Sequence, residues 1–286
     1  MLKKTNQKYL KELENKTILI TGGAGSIGSA LVKEILQYSV KSIRILDSDE
    51  YGLFRLKREI KDNRIRLLLG NILDKDRIEI AIEDVDIVIH TAAIKNIEIA
   101  EYNPIETVDV NINGTINLVK IAMKKKPMKF LNISTDKAAD STTLYGATKG
   151  LGEKITTWAG RYSKIKFASV RFGNVIETRG NVFEVWENEI KNKKPISVTN
   201  PSMRRYFFHI SEAVEFVLEC LLKTDKGEIF VPKMKTYKIK EMADKISKKQ
   251  KIIGLRPGEK MNEVLITETE KKNSVELENM WIIKPV

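Results

Sequence analysis

Cysteine and histidine are nearly absent from this sequence: it has one cysteine, Cys220, and two histidines, His90 and His209, in 286 residues. No disulfide can form within the chain, which implies a reducing compartment. Cys220 lies in the apolar run Ala213 to Leu222 and reads as a small core residue. So few soft ligands complete no zinc-type set, so no metal centre is expected. His90 ends an apolar run and reads as a packed, hydrogen-bonded core residue. His209 follows Tyr206-Phe207-Phe208 and is assigned to the same strand, whose aromatics read as core. Long apolar runs are also missing: none approaches the roughly 18 residues that span a bilayer. Residues Met1 to Lys16 are polar and lysine-rich, without an apolar signal core. A soluble, cytoplasmic protein with no membrane partner is expected. Charge is not scarce, at +12 net, yet lysines alternate with glutamates and no basic-aromatic stripe recurs. That pattern describes a solvated surface and argues against a nucleic-acid partner.

What is present is alternation. The runs Lys16–Thr21, Ser42–Leu46, Ile65–Leu69, Asp86–His90, Phe130–Ile133 and Phe167–Arg171 are short, apolar and rich in β-branched residues. Between them Ser26–Gln37, Glu50–Ile60, Lys75–Ile82, Val108–Met123 and Thr148–Tyr162 carry helical periodicity. Near-continuous apolar strands separated by helices indicate parallel βαβ units in a sheet covered on both faces. The predicted fold is α/β, a Rossmann-type doubly wound parallel sheet with a smaller C-terminal substrate-binding lobe. Residues 1–15 form an N-terminal extension, 16–171 the nucleotide-binding domain, and 172–286 mostly the lobe, with the chain returning to the sheet.

The run "ITGGAGSIGSALV" leaves the first strand with Gly22, Gly25 and Gly28 at G-x-x-G-x-x-G spacing. Glycines there permit a tight turn and close approach of a pyrophosphate, whose charge meets the N-terminus of the following helix near Ser26 and Ile27. Asp47 ends the second strand nineteen residues beyond Gly28, where a carboxylate accepts the adenosine ribose hydroxyls. Asp47 favours NAD, with NADP left open because Arg44, Arg55 and Lys57 are near in sequence. Farther on, "STDKAADSTTLYGATKG" holds two pairs. Tyr145 and Lys149 lie one helical turn apart, so the lysine is expected to lower the tyrosine pKa and make it a base toward an alcohol. Asp136 and Lys137 follow Thr135 at the carboxyl end of a strand, where ligands bind in such sheets. An acid and a base beside a hydride acceptor suit elimination of water from a sugar.

These motifs resemble those of the UDP-N-acetylglucosamine 4,6-dehydratases and their polysaccharide-biosynthesis relatives, within the extended short-chain dehydrogenases/reductases. "HTAAIKNIEIAEYNPIETVDVNINGTINLV", "VRFGNVIETRGNVFEVW", "VTNPSMRRYFFHISEAVEFVL" and "GLRPGEKMNEVL" continue the similarity over roughly residues 16–266. The resemblance implies that Asp136 protonates the C6 hydroxyl, Lys137 takes the C5 proton, and Tyr145, with Thr135 and Lys149, handles the C4 hydroxyl. It also implies cofactor contacts at Asn71, Ile72, Ala92, Ala93 and Lys95, the last also beside the sugar. Asn174, Arg205, Arg256 and Glu259 fall where the family holds the pyrophosphate and uridine ribose. The implied cofactor is tightly bound NAD(P), recycled in each turnover; the implied partner is a UDP-sugar, and a homodimer or larger assembly is expected. The sequence departs from the family at Asp140-Ser141-Thr142-Thr143, which replaces an Asn-Pro turn, and at Asn96 and Asn71. A UDP-hexose 4-epimerase, needing no acid–base pair at C5 and C6, and a non-catalytic nucleotide-binding protein remain the alternatives.

Overall fold

The computed structural model describes residues 7–256 and 258–286. A short helix α1 (Gln7–Leu13) leads into β1 (Thr17–Thr21), all of whose residues are buried. Then follow α2 (Ser26–Ile35), β2 (Ser42–Asp47), α3 (Glu50–Glu59), β3 (Ile65–Leu69), α4 (Lys75–Ile82) and β4 (Ile87–His90). Helices α3 and α4 start where short polar side chains satisfy first-turn N–H groups. Asp49 accepts from Gly52 N at 2.8 Å and Asp74 from Arg77 N at 3.0 Å. Next come α5 (Ile97–Tyr102), α6 (Pro104–Val108), α7 (Gly114–Lys125), β5 (Lys129–Thr135), α8 (Leu144–Tyr162) and β6 (Lys166–Phe172). The helix expected over Val108–Met123 is thus interrupted: Asp109–Asn113 forms a π-helical turn before α7.

Beyond β6 the chain makes β7 (Asn174–Val175), α9 (Val182–Lys191), β8 (Ile196–Val198) and β9 (Arg204–Phe208). It continues through α10 (Ile210–Lys223), β10 (Lys226–Pro232), β11 (Thr236–Lys238), α11 (Ile239–Ile246) and β12 (Gln250–Ile252), and ends with α12 (Glu268–Lys272), β13 (Ser274–Glu276) and β14 (Met280–Ile283). The main sheet has nine strands in the order β13-β14-β10-β6-β5-β4-β1-β2-β3. From β3 through β10 all neighbours are parallel, and only β14 and β13 pair antiparallel. Strand order reverses between β1 and β4, which opens a crevice at their carboxyl ends.

Much of the C-terminal third therefore belongs to the main sheet. Val214, Val217, Leu218 and Leu221 of α10 join the core that holds Leu31, Val32 and Ile35 of α2. Tyr9 and Leu13 of α1 are buried in that same core, so part of the expected N-terminal extension packs as structure. The lobe proper is a small cluster built on Trp186, Ile196, Val198, Met203 and Phe207. His209 falls one residue past β9: its N–H donates to Glu212 Oε2 at 2.7 Å and it caps α10, where the sequence reading had put it in the strand. Cys220 is fully buried. Among the described residues no helix is long and apolar enough to cross a membrane.

Candidate active site

The crevice holds a cavity of about 540 Å³. Its walls bring together the glycine-loop residues Gly22, Gly25, Ser26, Ile27 and Gly28 with Asp47, Asn71, Ile72, Ala92, Ala93 and Lys95. The loop geometry explains its glycines. Gly22 has φ +68°, and a Cβ there would lie 2.6 Å from Ala92; a Cβ on Gly28 would lie 2.5 Å from the Gly22 oxygen. The first turn of α2 has no side-chain cap, so its N–H groups face the cavity free to meet an anion. Asp47 is fixed by two backbone donors, Ala24 N to Oδ2 at 2.9 Å and Asp49 N to Oδ1 at 3.0 Å. Each oxygen keeps acceptor capacity for a ribose hydroxyl. Arg44 turns away, donating to the carbonyls of Ala81 at 3.0 Å and Glu83 at 2.5 Å. Arg179, which sequence reasoning missed, lines this cavity from the other lobe.

Next to the cavity is the acid–base cluster. β5 is buried throughout and delivers Thr135 to its end, where a single 3₁₀ turn carries Asp136 and Lys137. α8 starts at Leu144, capped by Thr143 Oγ1, which accepts from Gly146 N at 3.1 Å. The helix lies almost in contact with that turn: a Cβ on Gly146 would sit 2.4 Å from the Lys137 oxygen. This close packing sets Tyr145 against the Asp136–Lys137 turn.

Lys137 Nζ donates to Asp136 Oδ1 at 3.0 Å and lies 3.8 Å from Glu263 Oε1. Thr135 Oγ1 donates to the same Asp136 oxygen at 3.0 Å. The other oxygen, Asp136 Oδ2, is buried with no hydrogen-bond partner among the described residues; it faces Gly173, where a Cβ would approach it to 3.3 Å. Burial opposes the Lys137 charge, but the Asp136 and Glu263 carboxylates outweigh it and raise the pKa. Burial likewise raises Glu263, against the pull of Lys137.

The expected influence of Lys149 on Tyr145 is not what the structure shows. Desolvation pushes the phenol up, and the groups that pull it down are the Lys137 ammonium and a hydrogen bond with Thr135. Lys149 is buried, which lowers its pKa to about 8 against the opposing Glu153 carboxylate. The close fit of α8 on the Asp136–Ala138 turn brings Tyr145 within electrostatic reach of Lys137. Asn111, in the π-helical turn, joins the two regions. Its side chain accepts from Ile94 N at 2.8 Å, donates to Ile94 O at 2.9 Å, and donates to Thr148 Oγ1 at 3.0 Å.

The residues expected at the diphosphate and uridine are each engaged with other parts of the protein. Asn174 Nδ2 donates to Tyr206 O at 3.1 Å, and the exposed Arg256 pairs with Glu98 at 3.0 Å. Arg205 departs from expectation. It is buried and spends four hydrogen bonds inward, on Arg204 O, Met261 O, Lys260 O and Glu259 Oε1. Its fork therefore anchors the Glu259–Met261 segment and holds Glu259, with little left to present to a ligand. The sequence segment that departs from the family pattern fastens the same stretch: Thr142 Oγ1 donates to Gly258 O at 2.7 Å and Lys260 pairs with Asp140 at 2.9 Å. His90 is a core residue, its ring hydrogen-bonded to Thr21 at 2.7 Å and Thr115 at 3.0 Å, with burial lowering its pKa to about 3.

This architecture recurs in known proteins. The family described as "Polysaccharide biosynthesis protein" matches residues 18–285. The "Uncharacterized membrane protein MJ1061" of Methanocaldococcus jannaschii is 44% identical over 95% of this chain and 86% of its own length. A "UDP-N-acetylglucosamine 4,6-dehydratase (inverting)" of Campylobacter jejuni subsp. jejuni is 36% identical over 94% of this chain and 83% of its own. Among solved structures, Pen from Bacillus thuringiensis superposes with a TM-score of 0.90 at 38% identity, covering 95% of this chain and 89% of that one. With the match running from β1 to the end of the sheet and relatives aligned over nearly the whole chain, this chain belongs to the polysaccharide-biosynthesis protein family of extended short-chain dehydrogenases/reductases.

Proposed function

We propose that this chain is an NAD-dependent 4,6-dehydratase of UDP-N-acetylglucosamine, giving a UDP-4-keto-6-deoxy-N-acetylhexosamine for surface-glycan synthesis. The observation that carries the reading is the buried Asp136–Lys137 pair with its unpartnered Asp136 Oδ2, set against Tyr145. Hydride exchange alone needs neither group. The name of the Campylobacter relative supports the substrate and reaction. The uncapped α2 N-terminus, the glycine cradle and Asp47 fit an adenine dinucleotide. When bound, NAD would accept a hydride at C4 and return it at C6, so none is consumed.

The chain's own residues carry the protons. Tyr145 takes the C4 hydroxyl proton, with Thr135 beside it and Lys149 one turn along. At rest Lys137 and Asp136 share one proton across a 3.0 Å hydrogen bond. Moving it to the carboxylate leaves a neutral amine and a carboxylic acid, the forms that elimination requires. Lys137 then removes the C5 proton and Asp136 protonates the departing C6 oxygen, which leaves as water; the ion pair re-forms. After C5 is protonated again from Lys137, Tyr145 holds one proton more than at the start and the Asp136–Lys137 pair one fewer. The Thr135 hydroxyl, hydrogen-bonded to both, is the short route that resets the site.

Arg256 and Asn174 serve the UDP end in this reading, with Arg205 and Glu259 as the frame. The Campylobacter relative's name carries the word "inverting", which supports dehydration with inversion, at C5 in this reading. A homo-oligomer fits the exposed apolar side chains Tyr102 of α5, Ile105 of α6, and Trp158 and Tyr162 of α8. A cytoplasmic setting fits a lone buried thiol. The test is a proton NMR time course with UDP-N-acetylglucosamine in deuterated water. A new C6 methyl signal with deuterium at C5 is expected, and the ring couplings report the C5 configuration. A galacto-configured product without a methyl signal would make the protein an epimerase.

A further inference from the structure

A strap from the second lobe crosses the mouth of the dinucleotide cavity. Glu177 (φ +68°) and Gly180 (φ +72°) bracket Thr178 and Arg179, both of which line the cavity. Glu177 is held in this left-handed backbone by Ile210 N and His209, each at 3.2 Å. Arg179 then reaches three separate segments of the first lobe. Its N–H donates to Ser26 Oγ at 2.9 Å and its Nη2 to Ala24 O at 2.8 Å. Its Nη1 lies 3.5 Å from Asp49 Oδ2, and its carbonyl accepts from Lys95 Nζ at 2.8 Å. Such a fan of contacts exceeds what holding an exposed loop requires.

The charges point to what the strap is for. Lys95 makes no ion pair among the described residues, and burial together with the neighbouring Arg179 lowers its pKa. Two cations thus stand together at the uncapped N-terminus of α2, an arrangement that an anion relieves. The guanidinium is half exposed and has N–H groups beyond those given to Ala24 and Asp49, in the fork that suits phosphate oxygens. The basic neighbours of Asp47 in sequence do not fill this place, since Arg44 faces outward and Arg55 and Lys57 are not part of the wall.

We propose that Arg179 is a binding residue for a phosphate of the dinucleotide, through which the second lobe holds the cofactor in its site. This rests on the reading of the cavity as a dinucleotide site and is independent of the sugar chemistry. The test is calorimetric titration of nucleotide-stripped protein, without any UDP-sugar, by NAD, NADP and adenosine, for the native chain and for Arg179→Ala. Affinity for NAD should fall about tenfold to a hundredfold, the range for a lost charge-assisted hydrogen bond, while adenosine, which lacks phosphates, binds unchanged. Equal losses for NAD and NADP identify the pyrophosphate as the group held; a loss for NADP alone identifies the 2′-phosphate. Asp49→Asn, which frees the guanidinium, should tighten the same ligand. Unchanged affinity for both dinucleotides overturns the proposal, as does an equal loss for adenosine, which would mean that Arg179 only shapes the cavity. Native protein that binds neither dinucleotide overturns it along with the cofactor reading. Dehydration by native protein together with unaltered affinity for both NAD and NADP in Arg179→Ala would overturn this inference alone.

Discussion

Two buried clusters in this protein have the same composition, one cation and two carboxylates, and behave differently. In the first, Arg171 is 1% exposed and donates to Glu153 at 2.9 and 2.7 Å, to Glu270 at 2.9 and 2.7 Å, and to Leu265 O at 3.0 Å. Its fork is saturated, and its own charge is reinforced on both sides. The cluster ties α8 and β6 to α12, so it fixes the helix that carries Tyr145 and Lys149. In the second, Lys137 meets Asp136 at 3.0 Å and Glu263 at 3.8 Å, and Asp136 Oδ2 has no hydrogen-bond partner among the described residues. A buried oxygen left without a donor costs stability, and here the cost falls where a substrate hydroxyl can satisfy it. A saturated cluster positions, whereas an unsatisfied one is available to react.

Exchanging the roles of the clusters should break this contrast. The largest effect is expected from Lys137→Ala, which should lower the dehydration rate about 10²- to 10⁴-fold, the range for loss of general acid–base catalysis. Thermal unfolding should shift downward as well, because Asp136 and Glu263 are left buried without their cation, so the rate is read at a temperature where the variant is folded. If the rate survives, the pair at the end of β5 is not the acid–base machinery and the epimerase reading gains. Arg171→Ala should act mainly on stability, leaving Glu153 and Glu270 without their cation. A loss of about 3–5 kcal/mol in denaturant unfolding is expected, and an unchanged midpoint would show that the saturated cluster carries no structural load.

A smaller change sharpens the comparison. Glu263 helps to raise the Lys137 pKa, so Glu263→Gln removes one of the charges that keep the shared proton on the pair. The amine then loses its proton at lower pH. Since elimination needs that proton on Asp136, the alkaline limb of the kcat/KM profile should move to lower pH, with little change at neutral pH. A pH profile that superposes on the native one would remove Glu263 from the proton balance.

The sheet was legible in the sequence because its signals are local. Apolar runs of β-branched residues, and glycines where the chain leaves β1, state their conformation within a few residues, and the strands from Thr17 to Phe172 lie close to where periodicity puts them. The π-helical turn at Asp109–Asn113 carries no comparable signal, since its bonding depends on Asn111 holding Ile94 and Thr148. Thr135, Asp136, Lys137, Tyr145 and Lys149 were readable as a set because they lie in one short stretch. Glu263 and Arg179 were not, although both fall inside stretches that resemble the family, because a single glutamate or arginine in a loop has many uses. Arg205 shows the reverse error. Its residue type suits a diphosphate, but folding directs its donors to the carbonyls of Lys260 and Met261.

The sequence by itself determined the α/β order, the glycine loop, Asp47, and the identities of the groups able to move protons, since each follows from residue type and short spacing. Tertiary structure decided which of those groups come together: that the Lys137 charge reaches Tyr145, that Glu263 joins the pair, and that Arg179 reaches back to Ala24 and Ser26. The physical reason is range. Backbone conformation is set by neighbours in the chain, whereas burial and electrostatics depend on groups within a few ångströms, and folding brings those together from distant parts of the sequence.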